Sequence, residues 1–244
     1  MEQVADGIHR LGSRAHNFYI IAEGDEATIV DLGCRREWKS LIGGLAALGL
    51  GPASVSATLA THAHGDHLGL GARAKQEGID VRVHRDDEVR ALGGYQGKPS
   101  ATASDLPLYR LAVWRNMLPM LIRGATRWDH LDSVSTFDDA EAIDIPGRPV
   151  VVHTPGHTEG HAMFHCPDVG VLFTGDGIAT MDLVGDRTGP QLMDDAFNND
   201  TDQAYESLER LEMIDADLLL PGHGRPFEGT PAQAVELARR YRQS

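Results

Sequence analysis

Thr61-His62-Ala63-His64-Gly65-Asp66-His67 is the stretch on which the reading of this chain turns. It follows residues 55–60, Val-Ser-Ala-Thr-Leu-Ala, which read as a strand. Three imidazoles and a carboxylate crowded into one loop would titrate against one another and lose hydration. A divalent ion instead turns their lone pairs and the carboxylate into coordination bonds. The small residues Ala63 and Gly65 let the backbone turn so that neighbouring ligands point at two centres.

Three further strand-like runs end in the same manner. Residues 149–152 lead into Thr154-Pro155-Gly156-His157, residues 169–173 into Thr174-Gly175-Asp176, and residues 217–220 into Pro221-Gly222-His223-Gly224. Side chains delivered from one edge of a sheet with helical cover converge on a single cleft, and the preceding glycines permit a tight approach. The candidate metal ligands are therefore His62, His64, Asp66, His67, His157, Asp176 and His223, a set large enough for two ions.

The remaining pattern alternates strands and helices. Residues 17–22 and 27–31 flank Glu23-Gly24-Asp25-Glu26 and predict a hairpin; 35–48 and 68–76 have helical spacing, and 80–84 reads as a short strand. Residues 93–128 break this pattern: glycine-rich loop chemistry leads into a stretch with Leu111, Trp114, Met117, Met120, Leu121 and Trp128, interleaved with Arg110, Arg115, Arg123 and Arg127. We read it as a helical insertion that lies over the cleft as a lid, where its arginines could hold a substrate carboxylate. Packing on the body, on a second subunit or against a membrane surface are the competing readings. Residues 181–197 could line the cleft as well, through Met181, Asp182, Arg187, Gln191, Met193 and Phe197. Two helix starts are signalled, by Asp200 ahead of Gln203 and by Thr230-Pro231-Ala232-Gln233, which has the form of a capping box.

The HxHxDH pattern of His62, His64, Asp66 and His67, followed in order by His157, Asp176 and His223, resembles the metallo-β-lactamase-fold hydrolase superfamily. The resemblance runs over nearly the whole chain except residues 93–128. It implies an α/β fold, an αββα sandwich, to which residues 93–128 add the helical insertion within one domain over residues 1–244. It also implies His62, His64 and His157 on a first metal, Asp66, His67 and His223 on a second, and Asp176 bridging them. Two divalent ions, zinc foremost and manganese or iron as alternatives, can share a hydroxide that attacks at neutral pH, with Asp66 as the catalytic carboxylate that orients or shuttles the proton.

The expected activity is thus dinuclear metal-dependent hydrolysis of a small ester, thioester or lactone. Zinc β-lactamases of this fold generally lack aspartate at the bridging position, so Asp176 counts against antibiotic hydrolysis. A β-lactam or phosphodiester hydrolase, a mononuclear-iron oxidoreductase resembling persulfide dioxygenases, and a non-catalytic metal-binding scaffold are the alternatives.

Composition narrows the partners. Across 244 residues, 22 Lys and Arg against 36 Asp and Glu give a net charge of −14, which repels nucleic acid. The expected partner is a small-molecule substrate, with a hydrophobic or acyl one favoured; no membrane partner is expected, and a homodimer is an open alternative. Only two cysteines occur, Cys34 and Cys166, in no metal-binding spacing, and no leader or spanning segment is visible, so the expected location is cytoplasmic. Both cysteines read as packing residues. His161 and His165 read as residues behind the ligands or on the surface, and His9, His16, His84, His130 and His153 receive the same reading. Asp31, at a strand end, either braces the site by hydrogen bonding or simply terminates its strand.

Overall fold

Alternating side chains decide how the strands are covered. In a computed structural model that describes residues 1–13, 15–94, 105–126 and 129–242, Phe18 and Ile20 face one way and Tyr19 and Ile21 the other. Because strand side chains alternate, a run apolar at every position is buried on both faces, which is possible only in a middle layer.

Seven strands among the described residues form the first sheet. They are β1 (Glu2–Ala5), β2 (Ile8–Gly12), β3 (Asn17–Glu23), β4 (Glu26–Val30), β5 (Val55–Leu59), β6 (Val81–His84) and β7 (Ser135–Phe137), ordered in space as in sequence. The first four pair antiparallel, and from β4 onward the pairing is parallel. Parallel neighbours need crossovers, supplied by α1 (Trp38–Ala47) between β4 and β5 and α2 (Gly71–Gln76) between β5 and β6. After β6 come α3 (Glu88–Ala91) and α4 (Leu111–Arg123).

The second sheet contains β8 (Val150–His153), β9 (Ala162–Cys166), β10 (Val171–Gly175), β13 (Leu218–Pro221) and β14 (Phe227–Glu228), in the order β14-β13-β10-β9-β8. A separate ribbon pairs β11 (Ala179–Met181) with β12 (Thr188–Gln191), and α5 (Thr201–Ser207) and α6 (Pro231–Arg242) complete the chain.

Three apolar layers result. Phe18, Ile20, Ile29 and Val81 meet Leu41 and Leu45 of α1 on the outside of the first sheet. Tyr19, Ile21 and Leu59 meet Phe164, Phe173 and Leu220 between the sheets. Met163, Leu172 and Leu219 meet Ala204, Ala234 and Val235 of α5 and α6. Helix, sheet, sheet and helix stack as the αββα sandwich expected from the sequence.

Differences from the sequence reading are local. The helix anticipated over 68–76 starts at Gly71, and the strand anticipated from Val169 starts at Val171, because Pro167–Val169 form a tight turn closed by Gly170 in the left-handed region. The capping box is realised: the Thr230 backbone N–H donates to Gln233 Oε1 (2.9 Å) and the Gln233 N–H to Thr230 Oγ1 (3.3 Å). Of the anticipated insertion, α4 is the helical part described; residues 95–104, Arg127 and Trp128 lie outside the described residues.

Candidate metal centre

Four loops bring the seven anticipated side chains to one edge of the sandwich. The loop after β5 carries His62, His64, Asp66 and His67; those after β8, β10 and β13 carry His157, Asp176 and His223. His157 Nε2 lies 3.2 Å from His62 Nε2 and 3.0 Å from His64 Nδ1. On the other side, Asp66 Oδ2 stands 3.7 Å from His67 Nε2 and 3.5 Å from His223 Nε2. Asp176 sits between, with Oδ2 3.4 Å from His157 Nε2 and 3.1 Å from His223 Nε2, and Oδ1 3.3 Å from His67 Nε2.

The rings are aimed by their far nitrogens. His67 Nδ1 donates to Asp31 Oδ2 (2.8 Å), His157 Nδ1 to Asn198 Oδ1 (3.0 Å) and His223 Nδ1 to the Ala15 carbonyl. A carboxylate, an amide oxygen and a carbonyl only accept, so each Nδ1 carries the hydrogen and each Nε2 turns a lone pair inward. Asp31 also accepts from the Thr61 backbone N–H (2.7 Å), and its left-handed φ of 61° lets one residue end β4 and brace the loop after β5. Both open readings of Asp31 are therefore realised together.

Two positioning residues had no signature in sequence. Buried Asp87 accepts from the Ala63 N–H (2.8 Å), Thr158 Oγ1 (2.8 Å) and the Gly160 N–H (3.0 Å), joining the first His loop to the loop that carries His157. Each donor left alone there would cost about 1–3 kcal/mol. Asn198, also buried, fixes His157 from the segment before α5. His161 lies behind these side chains: its Nε2 accepts from the N–H groups of Asp176 (3.2 Å) and Gly177 (3.1 Å), shaping the turn that presents Asp176. Burial, reinforced by His157, pushes its pKa down to about 3, so the ring stays neutral and able to accept.

The electrostatics suit cations. Burial holds His62, His64 and His157 below their ordinary values, leaving them neutral and unprotonated at the inward atoms. Burial alone would raise Asp176, but the charges of His223 and His67 keep it well below the usual carboxylate range. His67 Nε2 and Asp176 Oδ1 are buried without a hydrogen-bond partner. Donor atoms crowd to 3.0–3.4 Å of one another at the centre of the cluster, and two of its polar atoms are left unsatisfied. Tetrahedral bonds of ~2.0–2.2 Å place ligand atoms ~3.3–3.6 Å apart, so His/Asp coordination of divalent ions fits these residues. Groups of three ligand atoms recur at His62, His64 and His157, at His62, His67 and Asp176, and at Asp66, His67 and His223.

A sequence profile described as the metallo-beta-lactamase superfamily matches residues 11–223, the span from β2 to His223. The chain belongs to that superfamily. A probable metallo-hydrolase of Bacillus subtilis (strain 168), YflN, is 26% identical over 254 residues, covering 98% of this chain and 92% of its own. An atrochrysone carboxyl ACP thioesterase of Passalora fulva is 26% identical over 229 residues, 91% of this chain and 52% of the thioesterase. A solved metallo-beta-lactamase family protein from Thermus thermophilus superposes with a TM-score of 0.68 at 27% identity, covering 99% of this chain and 81% of that one. The superfamily and these likenesses identify this protein as a metallo-hydrolase.

Beside the candidate ligands lies a cavity of about 220 Å³. His64, Asp66, His157, Asp176 and His223 line one wall; Met117, Met120 and Leu121 of α4, with Leu183, Met193 and Phe197, line the other. Within residues 181–197 this corrects the expected lining, since Met181, Asp182, Arg187 and Gln191 do not reach the cavity. Asp182 instead accepts from the N–H groups of Val184 and Gly185. The arginines of α4 are likewise spent elsewhere: Arg115 pairs with Asp186 (2.7 Å) and Arg123 with Glu37 (3.3 Å).

Proposed function

We propose that this metallo-hydrolase binds two divalent ions, zinc foremost with manganese or iron also suited to the donors, and cleaves a small ester, thioester or lactone with an apolar acyl group. His62, His64 and His157 would hold one ion, Asp66, His67 and His223 the other, and Asp176 would bridge them. The observation that carries the reading is the division of the cavity, with imidazoles and carboxylates on one wall and methionines, leucines and phenylalanine on the other. The thioesterase relative supports an acyl substrate.

Bound divalent ions would supply an activated water and polarise the scissile carbonyl. The protein's part is orientation and proton handling. Met117, Met120 and Phe197 exclude water from the acyl side and present the carbonyl to the polar wall. Asp66 is the less buried of the two carboxylates and lines the cavity. Its Oδ2 faces His67 and His223, leaving Oδ1 to take a proton from the attacking water and return it to the leaving group. Helix α4 acts as the lid through Met117, Met120 and Leu121. Cys34 and Cys166, both free and buried, suit the cytoplasm we propose as its location.

Chelation followed by zinc add-back against a panel of esters, thioesters, lactones, β-lactams and phosphodiesters tests this. Hydrolysis of acyl substrates that disappears with the metal and returns with it is expected. Full turnover by metal-free protein would refute the mechanism, and turnover confined to β-lactams or phosphodiesters would refute the substrate class.

A further inference from the structure

Helix α4 is apolar on two sides. Val113 and Met120 are buried, and Met117 and Met120 face the cavity. Leu111, Trp114, Leu118 and Ile122 recur at helical spacing along the other side and are exposed, Leu111 by 82% and Ile122 by 61%. Tyr109, just ahead of the helix, is 86% exposed. Isolated exposed leucines are ordinary, but a continuous stripe along a helix marks a surface that meets something.

Charge indicates what that something is. The chain carries a net charge of −14, yet residues 106–123 contain Arg110, Arg115 and Arg123 and no Asp or Glu. Arg115 and Arg123 have acidic partners in Asp186 and Glu37, while Arg110 is exposed at the head of the stripe. Arg36, exposed at the other end, donates to the Ile122 carbonyl (2.9 Å) and keeps its positive charge beside the stripe. An apolar stripe with cations at both ends is complementary to an anionic lipid surface. A second copy placed symmetrically on this face would bring the same cations together with no acid on the helix to answer them.

We propose that the outer face of α4 docks on a bilayer containing anionic phospholipid, with Leu111, Trp114, Leu118 and Ile122 at the headgroup boundary and Arg110 and Arg36 against phosphates. No helix among the described residues is long and apolar enough to cross a membrane, and surface docking needs none. Leu121, next to Ile122 on the helix, is 40% exposed and also lines the cavity. On the hydrolase reading above, an acyl chain leaving the bilayer therefore meets Leu121 and then Met117 and Met120. Docking itself depends on neither metal nor turnover.

The test is flotation of the full-length, zinc-loaded protein with vesicles of equimolar phosphatidylcholine and phosphatidylglycerol, and with phosphatidylcholine alone. The wild type is expected to float with the anionic vesicles only, and less so as salt rises from ~0.05 to ~0.5 M. Leu111→Asp with Ile122→Asp should lower the bound fraction ~10-fold or more, with zinc content and melting temperature unchanged. Arg110→Glu should weaken binding at low salt alone. A wild type that does not float with anionic vesicles overturns the proposal, as does equal flotation of the aspartate variant. A dimer in the ultracentrifuge that the aspartate variant dissolves, without vesicle binding, overturns it in favour of a second copy.

Discussion

Asp31 Oδ2 accepts a 2.8 Å hydrogen bond from His67 Nδ1, and through it the end of β4 sets the direction in which a residue of the next loop points its lone pair. Neither residue is close to the other in sequence. The carboxylate makes the ring more basic as well as orienting it, which is what a metal-ligating imidazole requires.

Asp31→Asn isolates that contribution. Asparagine tolerates the left-handed backbone at this position, so the fold should survive. An amide N–H facing His67 Nδ1 would favour the other tautomer, which places hydrogen on Nε2. We expect zinc affinity to fall ~10–100-fold, measured by competition with a chromophoric chelator.

Metal uptake should be linked to proton release. Burial alone would lower His67 and His223, but Asp176, with Asp31 and Asp66 for His67 and Asp66 for His223, holds both above their ordinary value. Protonated rings cannot ligate, so apparent affinity should fall as pH drops through these raised values and level off above them. The limiting loss is ~10-fold per pH unit for each proton displaced. Zinc titrations in buffers of different ionisation enthalpy count the protons; an enthalpy independent of buffer would contradict the linkage.

Gly222→Ala tests how tightly the loops meet. A Cβ there would stand 2.5 Å from Asp176 Oδ1 and from His67 Cε1. We expect a loss of about 1–3 kcal/mol in stability and reduced zinc content, read by thermal melts and metal analysis.

Acid should also remove the brace between His16 and Glu37. Burial would raise Glu37, but the hydrogen bond from His16 Nε2 (2.5 Å) and its charge carry the carboxyl below its ordinary value. A carboxyl lowered by folding contributes stability that is present above its unfolded pKa and lost as pH falls through the folded one. Glu37→Gln should therefore flatten the fall in melting temperature below about pH 4.5 relative to the wild type.

The sequence was most legible where chemistry is local. His62 to His67 crowd ligands into one loop, and apolar runs such as Phe18 to Ile21 announce a strand buried on both faces. Asp87 is different: it lies in His84-Arg85-Asp86-Asp87-Glu88, a polar run that looks solvated, and only the packing of two distant loops around it buries its carboxylate. Asn198 likewise acquires its part only when α5 comes to rest beside His157. The strands β11 and β12 are too short for alternation to register, and α4 carries apolar residues on both faces, so its pattern alone did not separate cavity wall from outer surface.

The proposed pairing of two cations between the four loops is tested most directly by anomalous diffraction at the zinc edge from crystals grown with zinc. Two peaks are expected, one flanked by His62, His64 and His157 and one by Asp66, His67 and His223, with Asp176 between them. A single peak, or zinc bound anywhere but among these seven side chains, would contradict the account.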